Sequence, residues 1–250
     1  MAHGLLFFET FEIRWFNKRS ELDQPIKLVV CILFLSFQRY FVSCQIQTYY
    51  VPSLVVEITA LGEPIRFLLS YGNIEFEDVR FERENWPQIK PNMPFGQVPV
   101  LEVDGKKAHQ SLAICRYLAK KVKLTGANEW EDLEIDSIVD TLNDFRAKIA
   151  MYHYEDDAAV KAKRKTPLFE ETLPYYLERF DTIAKTNNGH FAIGKLTWAD
   201  FYFVGLLSYM NFMAGKNLVE GYPNLQKLEK NVLSLPAIKA WIEKRPKTDM

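Results

Sequence analysis

The chain has 250 residues, of which 48% are apolar and 25% charged, and its formal net charge is −1. This is the composition of a globular protein, long enough for one large domain or two small ones. The balanced charge excludes broad electrostatic attraction to nucleic acid or an anionic membrane, and three widely spaced cysteines (Cys31, Cys44, Cys115) exclude a disulfide framework or cysteine metal site and suit a reducing compartment.

Residues 1–45 carry a dense apolar run, Leu28-Val29-Val30-Cys31-Ile32-Leu33-Phe34-Leu35. It is shorter than the roughly 20 residues a membrane span needs and too far from the start for an ordinary signal peptide. It reads as an N-terminal extension, either docked on the folded body or dispensable to it, with a signal-anchor as the lesser alternative. Two segments then compete as the first strand. Gln45–Val51 ends at Pro52, and Leu54–Ile58 offers Val55, Val56 and Ile58. Pro64 and Gly72 bracket a helix with Ile65, Phe67, Leu68, Leu69 and Tyr71 on its apolar face. Phe76–Phe81 reads as a short strand. Pro87, Pro91 and Pro94 forbid one long helix over 84–95.

A strand over Val98–Val103, the Asp104-Gly105 turn and a helix over Ser111–Lys121 complete the order β-α-β, loop, β-β-α. Strand signals then stop. Leu133, Ile135, Ile138, Val139, Leu142, Phe145 and Ile149 recur at helical spacing. A second amphipathic helix is predicted over about 158–186, and its Lys161, Lys163, Arg164 and Lys165 read as a solvated face. Thr197-Trp198-Ala199-Asp200 resembles a capping box that opens an almost wholly apolar, buried helix. A last helix is predicted over Pro236–Lys244. Thr197 and Asp200 are assigned to structure, and His109 and His153 to no catalytic role.

The richest stretch is Gln97-Val98-Pro99-Val100-Leu101-Glu102-Val103-Asp104-Gly105, followed by His109-Gln110-Ser111-Leu112-Ala113-Ile114. Proline at the start of a central strand is tolerated only where its missing N–H is unneeded. A cis Val98-Pro99 bond would turn the backbone of Val98 toward a peptide-like ligand. Ser111 is placed to cap a helix whose free N–H groups attract a carboxylate. A peptide edge beside an anion pocket suits a small acidic peptide.

These blocks, with Ala60-Leu61-Gly62-Glu63-Pro64-Ile65-Arg66, Leu196-Thr197-Trp198-Ala199-Asp200 and Ala240-Trp241-Ile242-Glu243-Lys244-Arg245-Pro246, resemble the sigma class of cytosolic glutathione transferases, insect type, over about residues 58–250. The resemblance implies an α/β plus all-α fold. A thioredoxin-like domain would occupy 46–123 and an all-helical domain 129–250, behind a non-family extension at 1–45. It implies a cytoplasmic homodimer with a detoxification role, glutathione as co-substrate and a small hydrophobic electrophile as acceptor, with no nucleic-acid or membrane partner and no metal. Carried over by position, Val98 would bond the cysteinyl backbone of glutathione, with Pro99 cis. Gln110 and Ser111 would hold the γ-glutamyl carboxylate. Trp86 and Lys90 would meet the glycine end with Gln97 nearby, and Asp144 of a partner subunit would pair with the γ-glutamyl ammonium.

The same resemblance implies a tyrosine hydroxyl at the end of the first strand, donating to the glutathione sulfur. An ungapped count from Ala60 places Val55 there. The alternative register makes Tyr49 the catalytic donor and Pro52–Glu57 an inserted loop; both registers remain open on sequence. Met151, Tyr152 and Phe212 are the expected acceptor-pocket lining. Conjugation of the glutathione thiolate to apolar electrophiles is the first reading. The alternatives are a non-catalytic, crystallin-like relative and a glutathione-dependent prostaglandin isomerase. A thioredoxin-type redox enzyme is disfavoured, because residues 55–66 contain no cysteine.

Overall fold

Strand β1, Ile46–Tyr50, falls within the first of the two candidate registers. The structure, a computed structural model, describes residues 46–50, 60–81 and 83–246. The N-terminal extension, the alternative strand Leu54–Ile58, Cys31 and Cys44 lie outside the described residues.

Helix α1 (Glu63–Tyr71) follows with Pro64 at its second position, where the absent N–H costs nothing, and ends at Gly72. Strand β2 (Glu77–Arg80) runs parallel to β1, with Tyr49 opposite Val79. The proline-rich stretch breaks into short pieces, as expected, and one of them is the single-turn helix α2 (Trp86–Ile89). Strand β3 is Val100–Val103, shorter than predicted. It starts after Pro99 because proline has no N–H to give to the ladder. It pairs antiparallel to β1 and to β4 (Lys106–His109), giving the order β2-β1-β3-β4. The hairpin turns on Asp104 (φ 51°) and Gly105 (φ 75°), both left-handed as a type I′ turn requires. Helix α3 (Ser111–Lys121) returns across the sheet. The apolar faces of α1 (Ile65, Leu68, Leu69) and α3 (Ile114, Cys115, Leu118) bury completely with Leu101.

The second half is all helical: α4 (Glu129–His153), α5 (Ala158–Thr166), α6 (Leu173–Thr186), α7 (Trp198–Ala214), α8 (Pro223–Leu233) and α9 (Pro236–Lys244). The single helix predicted over about 158–186 is interrupted. Pro167–Thr172 winds as a π-helix between α5 and α6. Pro167 offers no N–H to the preceding turn, and the ring of Pro174 would strike the carbonyl of Glu170 in a regular α-helix; the wider turn relieves both. The Asp200 half of the predicted capping box is in place. Its buried carboxylate accepts from the N–H of Thr197 at 2.8 Å and of Phe191 at 2.9 Å. Among the described residues no helix is long and apolar enough to cross a membrane.

Two features lock α1 to the helical half. At Gly205 of α7 a Cβ would lie 2.9 Å from Pro64 N, so only glycine lets the two helices approach this closely. Beside it lies a buried charge network. Glu63 and Arg66 are 1% and 0% exposed. The Glu63 carboxylate accepts from Arg66 Nη1 at 3.1 Å, from the Trp241 indole N–H at 2.8 Å and from Arg245. Asp78 of β2 accepts from Arg66 Nε at 2.7 Å and from Arg80 Nε at 2.8 Å. This network joins α1, β2 and α9, and sequence periodicity gave no sign of it.

Candidate functional site

The sheet topology gathers the expected residues at one end. Tyr49 stands opposite Val100 in the β1–β3 ladder, and Val100 stands opposite His109 in the β3–β4 ladder. The end of β1, the chain entering β3 and the chain leaving β4 therefore lie side by side. Tyr49, Val98-Pro99 and Gln110-Ser111 are brought together across three adjacent strands, although 62 positions separate Tyr49 from Ser111 (111 − 49).

The Val98–Pro99 peptide bond is cis. Val98 precedes β3 and takes no part in its ladders. The helix cap differs from expectation. Gln110, not Ser111, occupies the cap position of α3, with φ 71° and ψ 106°, and its side chain makes no capping bond. Ser111 is the first helical residue and is buried at 8% exposure. The first intrahelical bond runs from Ile114 N–H to Gln110 C=O at 3.0 Å, so the N–H groups of 111–113 have no acceptor within the helix. Together with the positive end of the helix dipole they suit a carboxylate.

One turn further along α3, Cys115 is fully buried, and burial pushes its thiol well above the ordinary value near 9. The folded state thus keeps a proton that the unfolded chain loses. Stability is expected to fall with rising pH above about 9, by roughly 1.4 kcal/mol per unit from this residue. Urea unfolding at pH 8, 9.5 and 10.5, compared with Cys115→Ala, checks this; parallel pH dependences in the two proteins would remove the thiol as the cause.

The loop between β2 and β3 carries the other expected residues. Trp86 stacks on Phe81 with centroids 5.7 Å apart and planes within 9°. Lys90 lays its stem over Gly96, where a Cβ would lie 3.0 Å from Lys90 Cε, which brings Lys90 beside the exposed Gln97. Lys107 Nζ donates to Asn92 C=O at 3.2 Å and ties this loop to β4. Asp144 is exposed on α4.

The expected acceptor lining is only partly gathered. Met151 is exposed. Tyr152 turns toward the π-helical stretch, edge-on to Phe169 at 5.4 Å. Phe212 packs on His153 at 5.1 Å, and His153 Nδ1 lies 3.2 Å from Met213 C=O, a structural arrangement. Sequence reasoning missed a different flank. Asn143 Oδ1 accepts from the buried Tyr202 hydroxyl at 3.3 Å and from Arg146 Nε at 3.2 Å. Further along, the hydroxyls of Tyr154 and Tyr209 are 2.8 Å apart. The signal was present: 143, 146, 150 and 154 follow helical spacing, as do 202, 206 and 209. Burial raises the pKa of the Tyr202 hydroxyl, Cys115 adds to the rise and Arg146 opposes it, so the group stays a neutral donor.

Comparison with known proteins gives the family. The model of the glutathione S-transferase N-terminal domain matches residues 56–120, and that of the C-terminal domain matches 143–245. The N-terminal match begins six positions beyond the end of β1 (56 − 50). A "Glutathione S-transferase" of Anopheles gambiae is 56% identical over 193 residues, covering 77% of this chain and 95% of the relative. "Glutathione S-transferase S1" of Drosophila melanogaster is 54% identical over 193 residues, covering 77% and 78%. Among solved structures, prostaglandin synthase D of Nilaparvata lugens is 48% identical with a TM-score of 0.76, covering 81% of this chain and 99% of that one. The fold, a thioredoxin-like domain followed by a helical domain, is shared with these structures. The chain belongs to the glutathione S-transferase family.

Proposed function

We propose that this protein is a cytoplasmic, sigma-class glutathione transferase that joins the glutathione thiolate to small hydrophobic electrophiles. The observation that carries the reading is the meeting of Val98, the first turn of α3 and Tyr49 at one end of the sheet. The γ-glutamyl carboxylate would lie at Gln110 and Ser111, and the cysteinyl backbone along Val98. The glycine end would reach toward Trp86, Lys90 and Gln97. A second copy of the chain would bring its Asp144 to the γ-glutamyl ammonium; exposed Trp130 and Leu133 on the same helix support a homodimer.

The chemistry asked of the site is modest. A thiol is a weak nucleophile and its thiolate a strong one. The Tyr49 hydroxyl donates to the sulfur and lowers its pKa. The thiol proton leaves to solvent, the sulfur–carbon bond forms, and the electrophile either releases its leaving group or takes up a proton. Resemblance to the Nilaparvata lugens prostaglandin synthase D supports a second reading, in which the same thiolate promotes a glutathione-dependent isomerisation.

Calorimetry with glutathione and turnover of 1-chloro-2,4-dinitrobenzene test the proposal together. Binding with turnover supports it. Binding without turnover favours a non-catalytic relative, and no heat at millimolar glutathione removes the reading. Ser111→Ala is expected to weaken glutathione binding about tenfold, the size of one hydrogen bond to a charged group.

A further inference from the structure

Phe95 carries two costs at once. It is 84% exposed, and its backbone is left-handed, with φ 52° and ψ 18°. Gly96 N–H donates to Met93 C=O at 2.9 Å, so Met93–Gly96 is a turn with Phe95 in third place. A left-handed residue at that place is usually glycine or asparagine, because a bulky side chain crowds the neighbouring carbonyl. Strain of this kind persists where the surrounding structure holds it, and it gathers at ligand-binding turns.

The Phe95 ring lies against the His109 imidazole, with centroids 5.0 Å apart and planes at 42°. His109 closes β4 and is half-buried. Its successor Gln110 is left-handed as well. Two strained turns are therefore joined ring to ring. One leads through Gly96 (φ 58°) and Gln97 into the cis Val98–Pro99 bond, and the other leads into Ser111 and the first turn of α3. Each ring stands immediately before the stretch that its turn presents. Lys107, also on β4, adds a tie to Asn92 of the same loop.

We propose that Phe95 and His109 are positioning residues for glutathione. Their ring pair braces the two turns against each other, so that the carboxylate pocket at Gln110 and Ser111 and the glycine end at Lys90 and Gln97 keep a fixed separation. This rests on the transferase reading and adds residues that act through the backbone of their neighbours. Neither ring ionises the thiol, so the effect falls on binding and not on the chemical step.

Calorimetry with glutathione and with γ-glutamylcysteine, which lacks the glycine, is the test. Phe95→Ala and His109→Ala are each expected to weaken glutathione about fivefold, the size of one aromatic pair, and γ-glutamylcysteine less than about twofold. Phe95 is exposed, so its removal leaves the core untouched. His109→Tyr keeps a ring and should bind glutathione within about twofold of the wild-type protein. The double variant should lose no more than either single one, because both changes remove the same contact. In turnover of 1-chloro-2,4-dinitrobenzene the loss should appear as a higher KM for glutathione, with kcat and the acceptor KM unchanged. All comparisons are made at protein concentrations where wild type and variants sediment alike. Unchanged glutathione affinity in the single variants, equal weakening of the two peptides, or additive losses in the double variant each overturn the proposal and leave the transferase reading intact. If the wild-type protein binds neither peptide, the transferase reading fails and the proposal fails with it.

Discussion

Tyr49→Phe is expected to lower kcat/KM for conjugation roughly 100-fold while changing glutathione affinity little. The reason is arithmetic. A free cysteine thiol has a pKa near 8.5. Keeping the bound sulfur ionised at neutral pH takes about two units, or about 2.7 kcal/mol, which is roughly a factor of 100 in rate. A single hydroxyl aimed at the sulfur is the group proposed to supply that difference. Thiolate absorbance against pH should show the bound thiol titrating well below 8.5 in the wild-type protein and close to it in the variant. Tyr50→Phe, the next position of β1, is the control. Full turnover in Tyr49→Phe would remove Tyr49 from the mechanism. Thiol activation would then have to come from another group, since Val55, the residue at this place in the ungapped register, has no hydroxyl.

Glu63→Ala is expected to cost about 3–5 kcal/mol of stability, as breaking one side of a buried ion pair usually does. Removal of the carboxylate takes one counter-charge from the Arg66 guanidinium, which is 0% exposed and also bonded to Asp78, and takes the acceptor from the Trp241 indole N–H. Arg245 is partly exposed and adds less, because water screens it. For a chain of this size the loss corresponds to a fall in Tm on the order of 10 °C. Urea unfolding should show a lower midpoint with an unchanged slope. Glu63→Gln should cost less, because the amide oxygen still accepts from Trp241 while the charge is gone. A change under about 1 kcal/mol in Glu63→Ala would show that water or rearranged neighbours satisfy Arg66 without it.

Much of the scaffold was legible because its signals are local. Pro64, the Asp104-Gly105 turn, the Thr197–Asp200 box and Pro236 each act through neighbouring backbone, and each marks the boundary it predicts. The choice between the first-strand registers depends on pairing with Val79 and Val100, which no local pattern encodes. The π-helical stretch was missed because the apolar stripe continues through it. Only Pro167 and Pro174, seven apart, hint that the winding changes. At the candidate site, the cis bond at Val98–Pro99 and the start of α3 at Ser111 followed from proline chemistry and helix-end signals. The cap at Gln110 was not, since a left-handed φ at glutamine has no compositional mark. The Asn143–Arg146–Tyr202 group escaped because each residue alone reads as a solvated or core position; only the packing of α4 on α7 sets them together.

The lock between the two halves has a bearing on how the chain is made. Glu63 waits for Trp241 and Arg245, which follow it by 178 and 182 residues. At a synthesis rate of about 5–20 residues per second, α1 leaves the ribosome on the order of ten seconds or more before its last partners exist. Through that interval its apolar face and its paired charges stand uncovered, a natural docking place for chaperones. A nascent chain halted before α9 would hold the whole candidate site at the end of the sheet and still lack this clasp.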